Sequence, residues 1–203
     1  MLEYNRSLDK GSIMLFRIII YLCLSLLFTA CQNHVTLDAK QQAGLQKQAI
    51  SIVQQFVGTL KPQLKQALQE GGPEHAIAVC SEIAPKLAKT LSEKTGWQIK
   101  RVSLKARNHH TALPDTWEQS MLQRFNRDQA QGKPPAMMIA SRREHGIYRF
   151  MQAQAVAPVC LLCHGKKISP DVAKVLKKYY PQDQATGYEL GQIRGAFSLS
   201  KRL

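Results

Sequence analysis

The residues best suited to chemistry in this 203-residue chain are Cys160, Cys163 and His164, which stand close together. Two thiols three positions apart reach the same side of one helical turn, so both can add across the two vinyl groups of a haem. The histidine that follows can then coordinate the iron from the proximal face. The C-x-x-C-H spacing therefore predicts one covalently attached haem c.

Two other chemistries also use closely spaced cysteines. A thioredoxin-like redox pair follows a strand in a βαβ context, and no parallel βαβ pattern surrounds this motif. Zinc would require a second pair of ligands at metal spacing, but Cys80 stands alone, and His109 and His110 are adjacent. We therefore favour haem. The alternative function is a periplasmic thiol–disulfide oxidoreductase that uses the two motif cysteines.

The iron of a c-type haem usually takes a second axial ligand. One cysteine, three methionines and three histidines are candidates: Cys80, Met137, Met138, Met151, His75, His109 and His110. Cys80 lies on an apolar helical stripe, where a single cysteine is more often a small core residue than a ligand. The residue types alone do not choose between these candidates.

Residues 1–30 are predicted to be an export signal rather than a part of the fold. Arg17 precedes an apolar run over 18–28 that is too short to span a bilayer, and the run ends in Thr-Ala-Cys. This ending is typical of a bacterial lipoprotein, so Cys31 is the predicted lipidation site and mature N-terminus. An ordinary cleaved signal or an uncleaved anchor is the alternative. Gln32 is not an aspartate retention signal, which favours the outer membrane in a Gram-negative cell.

Three segments follow from this interpretation. A lipoprotein signal covers 1–30, a polar tether 31–40, and a haem-binding domain 41–203. Glu3 and Asp9 are out of character for a basic leader, so Met14 is an alternative start. The domain is expected on the periplasmic side of a bacterial membrane.

The chain is strongly basic, with a net charge of +14. Export makes anionic lipid or an acidic redox protein a more plausible partner than nucleic acid, which we do not expect. Five lysines follow the motif closely, with Asp171 as the only acid between Cys160 and Pro181: Lys166, Lys167, Lys174, Lys177 and Lys178. They predict a basic rim beside the haem edge. A solvated basic surface without a partner is the alternative.

The elements that must position the motif are read from hydrophobic periodicity. Helices are predicted over 45–68, 73–95, 115–128 and 169–179, with a break at Gly71-Gly72 and a kink at Pro85. Strands are predicted over 97–106, 135–141, 146–155 and 189–200, the middle two forming a hairpin with a turn at 142–145. The predicted helices come first, and the strands that follow can pair as antiparallel neighbours. This order predicts an α+β fold.

Four motifs in this order resemble a known family: AIAVCSEIAP at 76–85, the segment 101–118, CLLCHG at 160–165 and GQIRGAFS at 191–198. Over about residues 45–200 the chain resembles the PAS-like monohaem c-type cytochrome domains, a Tll-type haem domain long catalogued as a domain of unknown function. The resemblance implies a PAS-like antiparallel sheet flanked by helices, with a long N-terminal helix. It also implies that Cys80 is the second iron ligand, and a thiolate there would favour ferric iron and a low potential. The family usually has a proline soon after Asn108, where this chain has His109-His110.

A buried haem also requires partners for its two propionates. Arg101, Lys105, Arg107 and Arg194 are candidates because arginine can pair both carboxylate oxygens, with surface solvation as the alternative for each. A six-coordinate haem has no open position, and nothing resembles a positioned general acid or base. We therefore do not expect an enzyme. We expect either an electron carrier or a sensor that responds to redox state or to a ligand.

Overall fold

The structure is a computed structural model that describes the backbone from Lys10 and the side chains from Ala39 to Leu203. Residues Gln46–Leu203 form one compact unit, and the chain up to Leu45 forms another. The predicted signal and Cys31 lie outside the described side chains, so the interpretation of this region stays a prediction. Between residues 39 and 203, no helix is both long enough and apolar enough to cross a membrane.

Helix α1 spans Lys10–Thr95 and is interrupted at Gly71 and Gly72, as the glycine pair predicts. Gly72 has a φ of +69°, a left-handed conformation that glycine adopts without a side-chain clash. Non-helical angles are confined to these two glycines, so the kink expected at Pro85 does not break the helix. Buried side chains recur at steps of three and four before the break: Ala49, Ile52, Val53 and Phe56.

Four antiparallel strands form a single sheet: β1 Gln98–Val102, β2 Ile139–Glu144, β3 Ile147–Ala155 and β4 Ile193–Arg202. Their order is β1-β4-β3-β2, so the last strand of the chain lies between β1 and β3. The predicted α+β class, antiparallel sheet and long N-terminal helix are confirmed.

Three shorter helices complete the fold: α2 Thr116–Ala130, α3 Leu161–His164 and α4 Pro170–Tyr179. Asp115 accepts the backbone N–H of Glu118 and so caps α2, while Ser169 accepts that of Val172 and caps α4. Both helix starts agree with the sequence prediction.

The hairpin differs from its prediction. The predicted turn at 142–145 was wrong, because residues 142–144 continue β2 and the turn is His145-Gly146. Both turn residues have positive φ, +48° and +72°, which suits the right-handed twist of a tight hairpin. Residues Pro135–Met137 form a 3₁₀ turn instead of a strand, since a proline at this position has no amide hydrogen for a strand ladder.

The sheet carries a helix on each face. On one face Phe197 of β4 packs edge-on against Phe56 of α1, with ring centroids 5.3 Å apart. On the other face Ser198 donates to Glu118 of α2 at 2.6 Å. One cluster of the core lies on this α2 face and includes Val102, Leu122, Phe125, Met138, Met151 and Ala196. Neighbouring residues of a strand therefore serve opposite faces.

Candidate functional site

The predicted attachment motif occupies one short turn of backbone. A 3₁₀ turn ends at Cys160, and α3 carries Cys163 and His164. Both thiols are free. Gly165 ends this turn with extended backbone, and a side chain there would lie 2.6 Å from the Leu161 carbonyl oxygen. Position 165 therefore requires glycine, because the backbone of Leu161 approaches it closely.

The ring of His164 is held in one orientation. Its Nδ1 donates to the Ala185 carbonyl oxygen at 2.6 Å, so Nδ1 carries the hydrogen and Nε2 keeps a free lone pair. Burial lowers the pKa of His164 to about 2; the charges of Arg194 and Arg107 act in the same direction, and the bond to Ala185 opposes them. The imidazole is neutral, which is the form that coordinates a metal.

The loop before β4 holds the motif through backbone hydrogen bonds. Gly187 N–H donates to the Gly165 carbonyl at 3.0 Å, and Tyr188 N–H donates to the His164 carbonyl at 2.9 Å. The Tyr188 ring stands edge-on to the imidazole, with centroids 6.4 Å apart. The segment 185–188 therefore sets both the backbone and the ring of His164.

Arg107 connects this loop to the motif. Its Nε donates to Asp183 at 3.2 Å, and its Nη2 donates to the carbonyl oxygens of Cys163 and Ala185. The ion pair is shielded, since the side chains of Arg107 and Asp183 are 15% and 9% exposed. Arg107 thus has protein partners already, and its role in the fold is to position the motif.

Cys80 faces the motif from the second half of α1. Ile77, one turn earlier on the same side of the helix, packs in a cluster with Val172, Leu176 and Cys163. Burial raises the pKa of Cys80, while Arg101 lowers it. Burial also raises the pKa of Cys163, and the nearby Cys80 adds to this effect. The three described cysteines therefore belong to one site.

Two further arginines converge on the site from the sheet. Arg101 pairs with Phe197 across β1 and β4, which places it on the α1 face. A register shift between β3 and β4 pairs Ala155 with Ile193, and Ile193 packs in the α2-face core. Arg194, the next residue of β4, is close enough to His164 and Cys160 for its charge to affect both. The irregular end of β4 therefore carries a residue of the site.

This cluster has more positive than negative charge. Burial lowers the pKa of Arg194 to about 9, and Arg101 adds like charge. Burial also lowers the pKa of Arg101. Among side chains 39–203, the buried Nε of Arg194 has no hydrogen-bond partner. Two carboxylates would satisfy these groups, so the predicted haem with its two propionates fits the residues present.

The other candidate iron ligands either lie away from the motif or make no contact among the described residues that would position them toward it. Met138 and Met151 are buried in the α2-face core, and Met137 is 76% exposed. His75 lies 3.7 Å from Glu70 and is half exposed. His110 is exposed, whereas the Nε2 of His109 is buried without a partner among the described residues. Of the seven candidates, Cys80 is the one that the structure brings to the motif.

The lysines after the motif divide into two groups. Lys166 is paired with Glu189 at 2.5 Å, so its charge is offset. Val172 and Leu176 face the core, which leaves Lys174, Lys177 and Lys178 on the exposed side of α4, and Lys167 precedes them in the loop, exposed as well. The predicted basic rim is present on α4 but is weaker at Lys166. Lys105, a predicted candidate for a propionate, donates to the Thr186 carbonyl.

Sequence reasoning missed the segment 180–188, which follows α4 and has no periodicity. It contributes Asp183, Ala185 and Tyr188 to the site, together with Tyr180, whose pKa is raised by burial and lowered by Arg107 and Arg101. One signal was available: Asp183 is the only acid between 172 and 188. An isolated acid in a basic segment often marks an internal ion pair.

Comparison with known proteins agrees with this architecture. The structure matches the crystal structure of the cyanobacterial heme-protein Tll0287 with a TM-score of 0.59 and 23% sequence identity, over 77% of this chain and 93% of that chain. A likeness at this identity establishes the fold. No curated protein matches the chain. The model of the Tll0287-like family matches residues 32–201, which is most of the sequence. The chain therefore belongs to the Tll0287-like family.

Proposed function

We propose that this chain is an extracytoplasmic monohaem c-type cytochrome domain that acts in electron transfer or in redox or ligand sensing. The structural neighbour is described as a heme protein. One observation carries the proposal: His164 has its Nδ1 bound to Ala185 and its Nε2 free, in the same turn as two free thiols. This arrangement provides the attachment and proximal groups of a c-type haem.

Attachment follows from the chemistry of the thiols. Each of Cys160 and Cys163 would add its S–H bond across one vinyl group, with the C–S bond and the new C–H bond replacing the S–H bond and the π bond of the vinyl group. No leaving group or oxidant is required. The bound haem supplies a one-electron ferric–ferrous couple. His164 is neutral before binding, so it need not lose a proton to coordinate the iron.

Cys80 is the second axial ligand in this proposal. It lies at the same site as Cys163, on the same side of α1 as Ile77. Arg101 lowers its pKa against the effect of burial, so the arginine favours the thiolate. A thiolate ligand stabilises ferric iron, which would give the domain a low reduction potential.

The arginines have separate roles. Arg194, whose buried Nε has no partner among the described residues, would hold the propionates together with the neighbouring Arg101. Arg107 instead maintains the motif through Asp183 and the Cys163 carbonyl. The alternative, a thiol–disulfide oxidoreductase, is less well supported because burial raises the pKa of Cys163 and so reduces its thiolate fraction.

We also propose that the domain is held on the periplasmic side of a bacterial membrane by a lipid on Cys31. The pattern of residues 18–31 supports this, since an apolar run ends in Thr-Ala-Cys. An acidic redox protein is the proposed partner, and the exposed lysines of α4 support it. Charge complementarity between this domain and an acidic protein would raise the rate of their association more than the affinity of the complex.

Haem staining after denaturing electrophoresis tests the proposal. Wild-type protein made with the haem-attachment machinery should keep its haem through denaturation and acid–acetone extraction, and the double variant Cys160→Ala/Cys163→Ala should lose it. Cys80→Ala is the matched control, because it removes a thiol of the same site and should keep the covalent haem. Wild-type protein without a Soret band, or a double variant that retains covalent haem, would refute the assignment.

A further inference from the structure

A cavity of about 440 Å³ lies beside the proposed haem site and is half open to solvent. It is bordered by α2, the loop after β1 and the start of β4. The polar residues that line it are Lys105, Arg194, Asn126, Gln129, Tyr188 and Gln192. Neither Cys80 nor any residue of the C-x-x-C-H motif lines it, but Arg194 does, so the cavity adjoins the proposed haem site at this arginine without sharing its attachment residues.

The lining suits a small organic anion. Leu122 and Ile193, both buried, provide an apolar surface. Asn126 and Gln129 are three residues apart on α2 and so present their amides on one face. Lys105 supplies a cation, with its Nζ 4.6 Å from the centre of the Tyr188 ring. No acidic residue is among the described residues that line the cavity.

The cavity wall and the proximal histidine share one segment. Tyr188 lines the cavity, and its ring and backbone contact His164. Lys105 lines the cavity too and donates to the carbonyl of Thr186, the residue after Ala185. Ala185 in turn accepts the hydrogen of His164 Nδ1. A ligand that repositions Lys105 or Tyr188 would therefore act on the hydrogen bond that sets the basicity of the axial imidazole.

We propose that this cavity binds a small organic carboxylate through Lys105 and the amides of α2, and that binding is transmitted to the haem through Tyr188 and the segment 185–186. The transmission rests on the proposed haem function, whereas the binding does not. Bound carboxylate would alter the spectrum and reduction potential of the haem without contacting the iron.

Calorimetric titration of the full holoprotein tests the binding. Benzoate is the probe, and benzamide is its neutral match of nearly equal shape. Benzoate should bind saturably and at least about tenfold more tightly than benzamide, since a charge-assisted hydrogen bond is lost in the amide. Lys105→Gln should remove that preference, and Asn126→Trp should fill the cavity and weaken binding by a similar factor.

Two exposed controls separate the cavity from general effects. Lys65→Gln removes a distant positive charge, and Gln123→Trp adds the same bulk elsewhere on α2. Both should bind benzoate as the wild type does. Absence of saturable benzoate binding, equal binding of benzamide, or equal losses in the controls would overturn the carboxylate site.

The haem spectrum tests the transmission. Saturating benzoate should shift the Soret maximum and the reduction potential of the wild type, and should do neither in Lys105→Gln. Benzoate binding with an unchanged haem would overturn the transmission. Protein that carries no haem would refute the proposed function instead, and calorimetry would still report on the cavity.

Discussion

The carboxylate of Glu118 is the most informative place to test the fold that supports the site. Its side chain is 0% exposed, and both oxygens are bonded. Oε2 accepts from Lys100 Nζ and from the Asp115 backbone N–H, each at 2.9 Å. Oε1 accepts from Ser198 at 2.6 Å and lies 3.3 Å from Arg149. Glu118 therefore ties α2 to β1, β3 and β4.

Glu118→Gln keeps the shape of this group but removes its charge. The new amide nitrogen must face either Lys100 and the Asp115 N–H or Ser198 and Arg149, so one pair of donors loses its acceptor. Lys100 is 44% exposed and regains water, whereas Arg149 is only 18% exposed. Two weakened charge-assisted bonds give a loss of about 2–4 kcal/mol in the free energy of unfolding. In a domain of this size the melting temperature should fall by about 4–16 °C.

Thermal unfolding of the holoprotein, followed by far-UV circular dichroism, measures this change. Glu93→Gln is the matched control, because Glu93 pairs with Lys89 on the surface of α1 with both side chains more than 60% exposed. Such a pair contributes less than about 1 kcal/mol. If Glu118→Gln melts at the same temperature as Glu93→Gln, the network does not stabilise the fold and the reasoning fails.

Three further predictions concern the haem and its surroundings. Cys80→Ala should open the iron to carbon monoxide in the ferrous state and shift the ferric Soret maximum, because an anionic ligand is lost; an unchanged ferric spectrum would show that Cys80 is only core packing. A palmitate analogue should label the wild type and fail to label Cys31→Ser, and equal labelling would mean that the lipoprotein pattern is accidental. Replacing Lys167 and Lys174 with glutamate should slow electron exchange with an acidic test protein and weaken its salt dependence, leaving the reduction potential little changed. A charge reversal at the distant Lys61 should have a smaller effect, and equal effects would contradict the docking role.

The sequence was most informative where the determining contacts are local. One helical turn relates Cys160, Cys163 and His164, so their spacing alone indicates covalent haem. The helix starts at Asp115 and Ser169 were equally predictable, because an N-cap bonds a backbone group within three residues.

Prediction failed where a neighbouring strand or a distant segment decides the conformation. The polar residues 142–144 predict a turn, but pairing with β3 extends β2 through them. Lys166 was counted in the basic rim, yet the chain returns at Tyr188 beside Gly165 and brings Glu189 to it. Neither effect is visible in local patterns, since both depend on contacts between residues far apart in the chain.

The sequence by itself predicted the chemistry of this protein: which side chains would bind haem, and in which order they stand along the chain. The tertiary structure decided how those side chains are oriented and which partners they have. It aligned His164 through the Ala185 carbonyl, paired Arg107 with Asp183, and left the buried Nε of Arg194 without a partner among the described residues. His164 and Ala185 lie 21 residues apart in the chain, and Arg107 and Asp183 lie 76 residues apart. Only folding brings such groups together, because burial and hydrogen-bond geometry depend on every element that surrounds the site.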